Sequence, residues 1–485
     1  MNTTIRRASV FCLLLVLSLL VRATWVQAVD SKALADQTHN RRNIIAQYAN
    51  PLGDIIVAGK PVTSSKATTG GDLKYKRTYT DGSLYSAVTG YSSQVYGATQ
   101  LEGIYQDVLD GTDTRLKSVK DALTNTPAKP GDVVTTIDPA VQKAAYTGLG
   151  SKKGAAVAID PATGEILAVA STPSYDPSTF SGSSTADGKA FSKLQADSAS
   201  PMLNRALRQT YPPGSTFKLV VAAAALENGL YSSVTQKTNS PAPYTAPGTS
   251  TPITNENTSA PCKNASIETA LQYSCNTVFA KLAVQLGEAK VKATAEKFGF
   301  NAAQLDIPVR VATSVYPSGM DQPQTALSGI GQFSDTATPL QMAMVVSALA
   351  NGGRLATPHM VSKVTDGNGK AITSYPDSAT TRVVSQSTAT QLQQAMINVV
   401  QNGTGTNAKI SGVEVGGKTG TAQHGENNSG TPYAWFVSYA KGSNGKEVAV
   451  AVVVEQSDAA RSEVSGNGLA APIARSMMKA ALGSS

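Results

Sequence analysis

Short apolar runs typical of β-strands lie at both ends of the region from residue 154 onwards, and helical periodicities lie between them. The segment 154–171 predicts two strands joined by a turn over DPATG, and therefore a β-hairpin. Strands at both ends and helices in the middle predict an α/β fold of the α+β type, with one antiparallel sheet and helices on its faces. The other helical regions are 216–298, 338–353, 385–403 and 468–482, and the other predicted strands are 412–423, 433–442 and 446–456.

The part of the chain before residue 154 is more polar. Residues 30–125 are rich in Tyr, Gly and Ser, with strand-like pieces at 53–59 and 73–79, and they predict a small module of strands and loops. The stretch 124–132 has the composition of a linker. Residues 133–149 then predict a strand, an Asp-Pro helix entry and a helix.

The N-terminus carries a basic pair followed by the apolar stretch 8–21, the pattern of a secretory signal or a signal anchor. This stretch is short of the roughly 20 residues that a spanning helix needs. Adding 23–29 reaches that length if Arg22 snorkels or pairs, with Trp25 placed at a membrane interface. Val-Gln-Ala at 26–28 also fits a cleavage site. We favour the anchor over cleavage, and either outcome exports the rest of the chain.

The charge of the chain argues against a nucleic-acid partner. The 485 residues, enough for two or three domains, include 41 basic and 33 acidic side chains, for a net charge of +8. This excess is spread thinly, with no run of five or more Lys or Arg and no zinc-finger or aromatic RNA-binding signature. A mild positive charge suits work near an anionic cell envelope.

Export to an oxidising compartment changes the interpretation of the cysteines. Cys262 and Cys275 are separated by a short loop, and a bridge between them would contribute about 3 kcal/mol through lost chain entropy. We favour this bridge over two unrelated thiols, although no other cysteine offers a disulfide framework. The three histidines, His39, His359 and His424, are far apart in sequence and predict no metal cluster.

The first candidate for chemistry is the S-x-x-K pattern of Ser215 and Lys218, which precedes an Ala/Val-rich helix. In a helix, residues i and i+3 share a face, so the Lys218 amine can reach the Ser215 hydroxyl. The amine can act as a base once burial or a neighbouring cation lowers its pKa, and the helix N-terminus favours negative charge at the oxygen. The pattern alone is weak, because it recurs at Ser438, Ser443 and Ser476.

A second candidate lies in 266–287, at a break between two predicted helices, where Cys275 separates Ser274 from Asn276. Both side chains can face one cleft, the hydroxyl to relay protons and the amide to hold a substrate carbonyl. Because Ser and Asn are common helix caps, this pattern alone favours a structural role.

The third candidate is Lys418-Thr419-Gly420, followed by Thr421, in a predicted strand. A Lys and a hydroxyl at a sheet edge can hold a carboxylate. Gly420 would let a substrate backbone approach closely, and the Thr421 N–H can point at an oxyanion. The alternative is a glycine-rich edge strand with a solvated lysine.

The three patterns together change this balance. S-x-x-K, S-x-N and K-T-G, in that order, are the signature of penicillin-binding proteins and related β-lactamases. Only the set that begins at Ser215 completes it, and K-T-G occurs once. Each pattern also lies in the predicted context of helix start, interhelix break and strand. A Ser-His-Asp hydrolase is disfavoured, because there is no G-x-S-x-G elbow and little histidine.

Five segments carry a family resemblance: NRALRQTYPPGSTFK (204–218), YSCNTVFAKLA (273–283), GIGQFSDTATPLQMA (329–343), NGTGTNA (402–408) and GGKTGTA (416–422). On these segments the chain resembles a class B penicillin-binding protein of the anchored actinobacterial penicillin-binding protein A group. The resemblance is specific from about residue 154 to the C-terminus and looser over the pedestal or dimerisation module before it. One departure is Pro51-Leu52-Gly53, where many class B members have an Arg before the Gly.

The resemblance implies a penicillin-binding, serine transpeptidase fold with a small strand-rich N-terminal pedestal and a membrane anchor. It places the catalytic domain outside the cytoplasm, held at the cell membrane by a single pass. The implied divisions are a cytoplasmic tip and signal anchor (1–29), a pedestal or dimerisation-type domain (30–131), a connection (132–153) and a transpeptidase domain (154–485).

The implied activity is that of a peptidoglycan D,D-transpeptidase, with no cofactor and no metal. Ser215 would attack the penultimate D-Ala carbonyl of a stem peptide, release the terminal D-Ala and leave an acyl-enzyme that an amine of a neighbouring stem resolves. Lys218 would be the general base. Ser274 and Asn276 would carry the proton to the leaving amine and orient the substrate.

The same resemblance implies the substrate-binding groups. Lys418 and Thr419 would bind the terminal carboxylate, with Gly420 beside them. The N–H groups of Ser215 and Thr421 would form the oxyanion hole. β-Lactams, which mimic D-Ala-D-Ala, would acylate the same serine.

Several alternatives stay open. A β-lactamase uses the same motifs, but Asn276 differs from the Val usual in class D enzymes, and we identify no deacylating Glu typical of class A. A D,D-carboxypeptidase differs in its acceptor, which leaves no clear motif. A non-catalytic penicillin sensor or division scaffold is opposed by the intact Ser and Lys motifs. The expected partners are stem peptides, β-lactams, the membrane, and proteins of a division or elongation complex.

Overall fold

The computed structural model describes most of the chain. Of the features predicted from the sequence, His39 and residues 124–127 of the expected linker lie outside the described part. The described residues are 2–30, 41–69, 71–117, 128–375, 379–425 and 429–483.

A five-stranded antiparallel sheet forms the centre of the chain after residue 150. The hairpin Lys153–Ile159 and Ile166–Thr172 precedes the helical region, and the other three strands follow it. The prediction of one sheet assembled from both ends, with helices on its faces, is therefore confirmed. In spatial order the strands are Glu414–Ala422, Tyr433–Lys441, Glu447–Gln456, Lys153–Ile159 and Ile166–Thr172.

Both faces of this sheet are buried, which explains the unbroken apolar run of the strand Glu447–Gln456. Val448 and Val450 pack into one hydrophobic cluster, whereas Ala449 and Ala451 pack into the other, as the two-residue period of a strand requires. The valine side packs on the helices Pro139–Leu149 and Ala471–Leu482, and the alanine side on Pro339–Ala350.

The region 216–298 contains less helix than predicted. Residues 228–266 form no helix and only isolated β-bridges. This segment contains five prolines, which remove backbone donors and disfavour helical conformation before them. The helices that do form are Lys218–Glu227, Ile267–Gln272, Asn276–Leu286 and Glu288–Lys297.

The N-terminal module contains helix as well as strand, so the prediction of strands and loops was incomplete. Gly82–Thr89 is a largely buried helix. The module's sheet also includes strands from after residue 360, at the hairpin around DGNG (366–369), a turn signal present in the sequence. In spatial order this sheet is Ala371–Ser374, Val361–Thr365, Asp132–Thr135, Ile55–Val57 and Lys60–Pro61.

One helix of the described chain, spanning Thr3–Asp30, is long and apolar enough to cross a membrane by length and composition. No other part of the described protein covers it, and Leu13 and Leu19 are 69% and 70% exposed. Arg22 pairs with Asp30 at 3.3 Å, so the cation inside this segment has a partner.

Smaller elements complete the described chain. The remaining strand pairs are Thr63–Ala67 with Tyr75–Tyr79, Ser92–Ser93 with Gly97–Ala98, and Arg354–Ala356 with Thr380–Arg382. The remaining α-helices are Arg41–Gln47, Gln100–Ile104, Gln106–Leu109, Thr185–Ala196, Arg205–Arg208, Gln322–Ser328 and Gln386–Asn402.

Candidate active site

Ser215 lies in a 3-10 turn, Gly214–Phe217, that leads directly into the helix Lys218–Glu227. This turn is held against Gly331, whose carbonyl accepts the Gly214 N–H at 2.9 Å. A Cβ on Gly331, which has a φ of 70°, would lie 2.0 Å from the Gly214 carbonyl oxygen, so the contact requires glycine. The sequence motif therefore sits at a rigid helix entry, as predicted, but in 3-10 rather than α geometry.

Lys218 is fully buried, and its amine is bound by the second motif. Nζ donates to Asn276 Oδ1 at 2.7 Å, to the Ser274 carbonyl at 2.8 Å and to Ser274 Oγ at 3.2 Å. Among the described residues, no hydrogen bond joins Lys218 to Ser215. The i, i+3 spacing thus brings the two residues to one turn. The hydrogen-bond partners of the amine, however, lie 56 and 58 residues further along the chain.

The Ser274 backbone makes the break between two helices, which confirms the predicted helix–break–helix arrangement. Its φ of 58° is left-handed, and it follows Ile267–Gln272 and precedes Asn276–Leu286. This turn places the Ser274 side chain and carbonyl towards Lys218. Asn276 Nδ2 donates to the Thr254 carbonyl at 3.1 Å, which orients the amide so that its oxygen faces the lysine.

Lys418 lies in the edge strand Glu414–Ala422 of the main sheet, yet its side chain is fully buried. Nζ donates to Ser274 Oγ at 3.0 Å and to the Thr419 carbonyl at 2.9 Å. The alternative of a solvated lysine is therefore wrong. Thr419 is 8% exposed, and its hydroxyl hydrogen-bonds the Thr404 hydroxyl at 2.8 Å.

Gly420 lies in a tightly packed place inside the protein. A Cβ there would lie 3.0 Å from both Thr216 Cγ2 and Trp435 Cβ, and 3.3 Å from the Pro213 carbonyl oxygen. The glycine thus lets the K-T-G strand pack directly on the Ser215 turn. The close approach of a substrate backbone at Gly420 stays a prediction beside this packing role.

Burial changes the acid–base behaviour of both lysines. Removal from water lowers the pKa of Lys418 to about 7, and the charge of Glu256 opposes this shift. Burial, followed by the charge of Lys418, lowers the pKa of Lys218 well below its usual range, again opposed by Glu256. Both amines therefore lose their protons far more readily than a surface lysine, and Ser274 Oγ links them.

An open cleft of about 620 Å³ lies at the serine turn. Ser215 of the S-x-x-K pattern, Asn276 of the S-x-N pattern and Thr421, the residue after K-T-G, line it. Glu256 and Phe333 also line it. No local sequence pattern indicated Glu256, whereas Phe333 lies in a segment that carried the family resemblance.

Cys262 and Cys275 are bonded to each other, with an S–S distance of 2.01 Å. The bond ties the irregular segment 228–266 to the residue before Asn276. Within the described ranges, no group of three or more His, Cys, Asp or Glu side chains is arranged to hold a metal ion.

Comparison with known proteins gives two family matches. Residues 154–479 match the family described as the penicillin binding protein transpeptidase domain. Residues 52–133 match the penicillin binding protein A dimerisation domain.

Individual proteins match over nearly the whole chain. Peptidoglycan D,D-transpeptidase PbpA of Mycolicibacterium smegmatis is 37% identical over 494 residues, covering 99% of each chain. The protein of the same name from Mycobacterium tuberculosis is 34% identical with the same coverage. The structure of M. tuberculosis penicillin-binding protein A as a ceftriaxone acyl-enzyme complex has a TM-score of 0.83 and 33% identity, covering 90% of this chain and 100% of that one.

Proposed function

The chain belongs to the penicillin-binding protein transpeptidase family, and from this premise we propose its reaction and the roles of its residues. It is a serine-type peptidoglycan D,D-transpeptidase that also binds β-lactams covalently. One observation carries the assignment of residues: Ser274 Oγ lies 3.2 Å from Lys218 Nζ and 3.0 Å from Lys418 Nζ, beside the cleft that Ser215 lines.

In the acylation step, Ser215 Oγ attacks the carbonyl carbon of the penultimate D-Ala, and Lys218 takes the hydroxyl proton. A neutral Lys218 has two N–H hydrogens and one lone pair. Asn276 Oδ1 and the Ser274 carbonyl can only accept, so they bind the two hydrogens and leave the lone pair for the proton of Ser215. The lowered pKa of Lys218 keeps the neutral form accessible.

The leaving amine of the terminal D-Ala needs a proton, and Ser274 supplies the route. Its hydroxyl can pass a proton to the amine while it receives one from Lys218 or Lys418, since both lie within hydrogen-bonding distance. The C–N bond then breaks, D-Ala leaves and the ester on Ser215 remains. An acceptor amine attacks this ester while Lys218 takes one of its protons. The C–N bond of the cross-link forms, the ester C–O bond to Ser215 breaks, and Lys218 returns the proton to Ser215 Oγ.

The substrate carboxylate binds at the K-T-G strand. The Thr419 hydroxyl, oriented by Thr404 at 2.8 Å, donates to it, and the charge of Lys418 lies behind. The backbone N–H groups of Ser215 and Thr421 form the oxyanion hole. Loss of one such donor typically lowers the rate by about 10²–10³.

The proposal extends to location and organisation. The apolar N-terminal helix anchors the chain in the cell membrane as a single pass, with the catalytic part outside the cytoplasm. Its basic pair at the N-terminal end supports this orientation. The pedestal division at 30–131, the connection at 132–153 and the transpeptidase domain at 154–485 are supported by the spans of the two family matches. Association with a division or elongation complex is the remaining part of the proposal, to be tested by co-purification.

The decisive experiment incubates the full chain with a stem pentapeptide and an amine acceptor, and resolves the products by mass spectrometry. We expect an amide product joined to the acceptor. Hydrolysed peptide alone would indicate a carboxypeptidase, and rapid turnover of penicillin would indicate a β-lactamase.

The serine assignment is tested with fluorescent penicillin. Ser215→Ala is expected to abolish labelling, whereas the control Ser476→Ala is expected to retain it. Ser476 also begins an S-x-x-K pattern, but it lies on the C-terminal helix with its hydroxyl bound to the Pro472 carbonyl. Labelling that survives in Ser215→Ala would contradict the assignment.

A further inference from the structure

Glu256 is an exposed carboxylate in the active cleft that the acylation chemistry does not use. It belongs to the irregular segment 228–266, outside all three motifs. No hydrogen bond or ion pair engages its carboxylate within the described part of the chain, so the group remains available to a ligand.

The segment that carries Glu256 is fixed to the helix Asn276–Leu286. The residue before it, Asn255, accepts the Thr277 N–H at 3.1 Å and donates to the Thr277 hydroxyl at 3.3 Å. The Thr254 carbonyl accepts from Asn276 at 3.1 Å. The Cys262–Cys275 bond holds the same segment a few residues later. Glu256 is therefore placed in a defined position relative to Asn276 rather than on a free loop.

Glu256 and His424 are the titratable side chains among the described residues that line the cleft, which also exposes apolar side chains. Among the described residues that line it, Glu256 is the single acidic side chain, and none is Lys or Arg. Leu327 and Phe333 line the same cleft and are 37% and 47% exposed. Exposed apolar side chains beside one unpaired carboxylate complement a cation carried on a hydrocarbon arm.

We propose that Glu256 recognises the acceptor substrate: its carboxylate binds the ammonium group of an aliphatic primary amine, while Leu327 and Phe333 contact the hydrocarbon arm. This inference deepens the proposed transpeptidase function and rests on it. It concerns binding before the chemical step: the bound ammonium releases one proton to solvent, and the neutral amine then attacks the ester on Ser215 as described above. Glu256 thus favours an amine over water as the acceptor that resolves the acyl-enzyme.

The charge of Glu256 also reaches the reaction centre, because it raises the pKa of Lys418 and of Lys218 against the effect of burial. Removing this charge lowers the pKa of both lysines. The acid limb of acylation, which is the pH range in which the acylation rate falls as the pH drops, therefore moves to lower pH. Acylation by wild type and variants is therefore compared on the pH-independent plateau, where this effect vanishes.

The test uses the full-length wild type, Glu256→Gln, Glu256→Asp and the control Glu296→Gln, which removes an exposed carboxylate on the helix Glu288–Lys297. The donor is a stem pentapeptide, and the acceptor is Nα-acetyl-lysine amide, whose free amine ends a four-carbon arm. We expect Glu256→Gln to raise the acceptor KM about five- to tenfold, with kcat and penicillin acylation within about twofold of wild type. Glu256→Asp should restore part of the affinity.

Two further readouts separate recognition from a structural effect. Glu256→Gln should shift the product ratio towards hydrolysed peptide, and the acceptor KM of wild type, unlike that of the variant, should rise with ionic strength. An unchanged acceptor KM, or acylation that falls in parallel with it, would overturn the role of Glu256. A wild-type protein that is acylated by penicillin but forms no amide product would overturn the proposed transpeptidase function itself, and the inference with it.

Discussion

The Nζ of Lys218 lies 2.7 Å from Oδ1 of Asn276, the shortest of the three hydrogen bonds that the amine makes. The amide is itself oriented, because its Nδ2 donates to the Thr254 carbonyl. The oxygen that faces Lys218 carries no hydrogen, so it can only accept hydrogen bonds. Asn276 therefore directs the hydrogens of the amine and, through them, its lone pair.

Asn276→Ala tests this orientation. Without the amide oxygen, one hydrogen of Lys218 loses its acceptor and the lone pair is no longer fixed. We expect the second-order rate constant for acylation by fluorescent penicillin to fall by about 10- to 100-fold, the range of a misplaced general base. Rapid-quench labelling gives the rate directly.

The matched control for Asn276→Ala is Asn228→Ala, at the opposite end of the helix that Lys218 begins. Asn228 caps this helix and its amide donates to the Ala224 carbonyl, so the change lowers stability slightly without reaching the cleft. Equal acylation rates in Asn276→Ala and wild type would refute the orienting role.

Gly420→Ala tests whether the K-T-G strand positions the serine turn. The added methyl would meet Thr216 Cγ2 and Trp435 Cβ at 3.0 Å, so these neighbours in the serine turn and the adjacent strand would have to shift. We expect acylation to fall at least about tenfold and the free energy of unfolding to fall by about 1–3 kcal/mol. Labelling kinetics and thermal unfolding measure the two effects.

Gly188→Ala is the control for the added methyl. Gly188 lies within the helix Thr185–Ala196. A Cβ added there would lie 3.4 Å from its nearest neighbour, the Tyr96 hydroxyl oxygen, which is an ordinary van der Waals contact. Alanine there should be neutral or stabilising by about 0.5–1 kcal/mol. A Gly420→Ala protein that acylates like wild type would show that the turn does not depend on this packing.

Much of the fold could be predicted from the sequence because its signals are local. The strands Tyr433–Lys441 and Glu447–Gln456 are long apolar runs separated by the turn GSNG, and the Ser274 break lies between two periodic helices. These features depend on residues close together in sequence, which single-sequence patterns detect.

The contacts around the lysines could not be predicted, because they depend on distant segments. The spacing of Ser215 and Lys218 indicated a direct contact, but the amine is held by acceptors at the interhelix break. Glu256 reaches the cleft through a proline-rich segment with no period, fixed by Asn255 and the disulfide bond. Such placements arise from tertiary structure and leave no local pattern.

The pH dependence of acylation tests the lowered pKa of Lys218. The base must be neutral, so the rate falls as the pH drops below its pKa, and burial moves that pKa well below the usual 10.5. We expect the rate of penicillin acylation, followed between about pH 7 and 10, to stop rising with pH well below the usual lysine pKa. An unperturbed lysine would instead give a rate that rises about tenfold per pH unit across this range.

The cause of the lowered pKa of Lys218 is tested by comparing the pH dependence of acylation in wild type and in Lys418→Met. The charge of Lys418 is the second contribution to the lowered pKa of Lys218, after burial. Its removal should raise the pKa of Lys218 and move the acid limb of acylation to higher pH. If the acid limb of the acylation rate stays at the same pH in Lys418→Met, or moves to lower pH, the charge of Lys418 does not lower the pKa of Lys218.

Lys418→Met also tests the stability cost of burying an amine for function. Burial lowers the pKa of Lys418 from 10.5 to about 7, so the unfolded chain holds this proton more tightly than the folded protein does. The wild type therefore loses stability as the pH falls from 10.5 towards 7, and the loss is constant below that window. The variant lacks this penalty but also loses the hydrogen bonds of Lys418 to Ser274 Oγ and to the Thr419 carbonyl, at a cost of about 1–3 kcal/mol.

We expect the difference in unfolding free energy, variant minus wild type, to be larger at pH 6.5 than at pH 10 by about 2–4 kcal/mol. Lys446→Met is the control, because Lys446 is an exposed lysine in the turn between two strands of the same sheet. Its difference from wild type should not depend on pH. Thermal unfolding of the three proteins at both pH values measures these quantities. A Lys418→Met difference that is the same at both pH values, like that of the control, would show that Lys418 does not carry the buried charge penalty that its pKa implies.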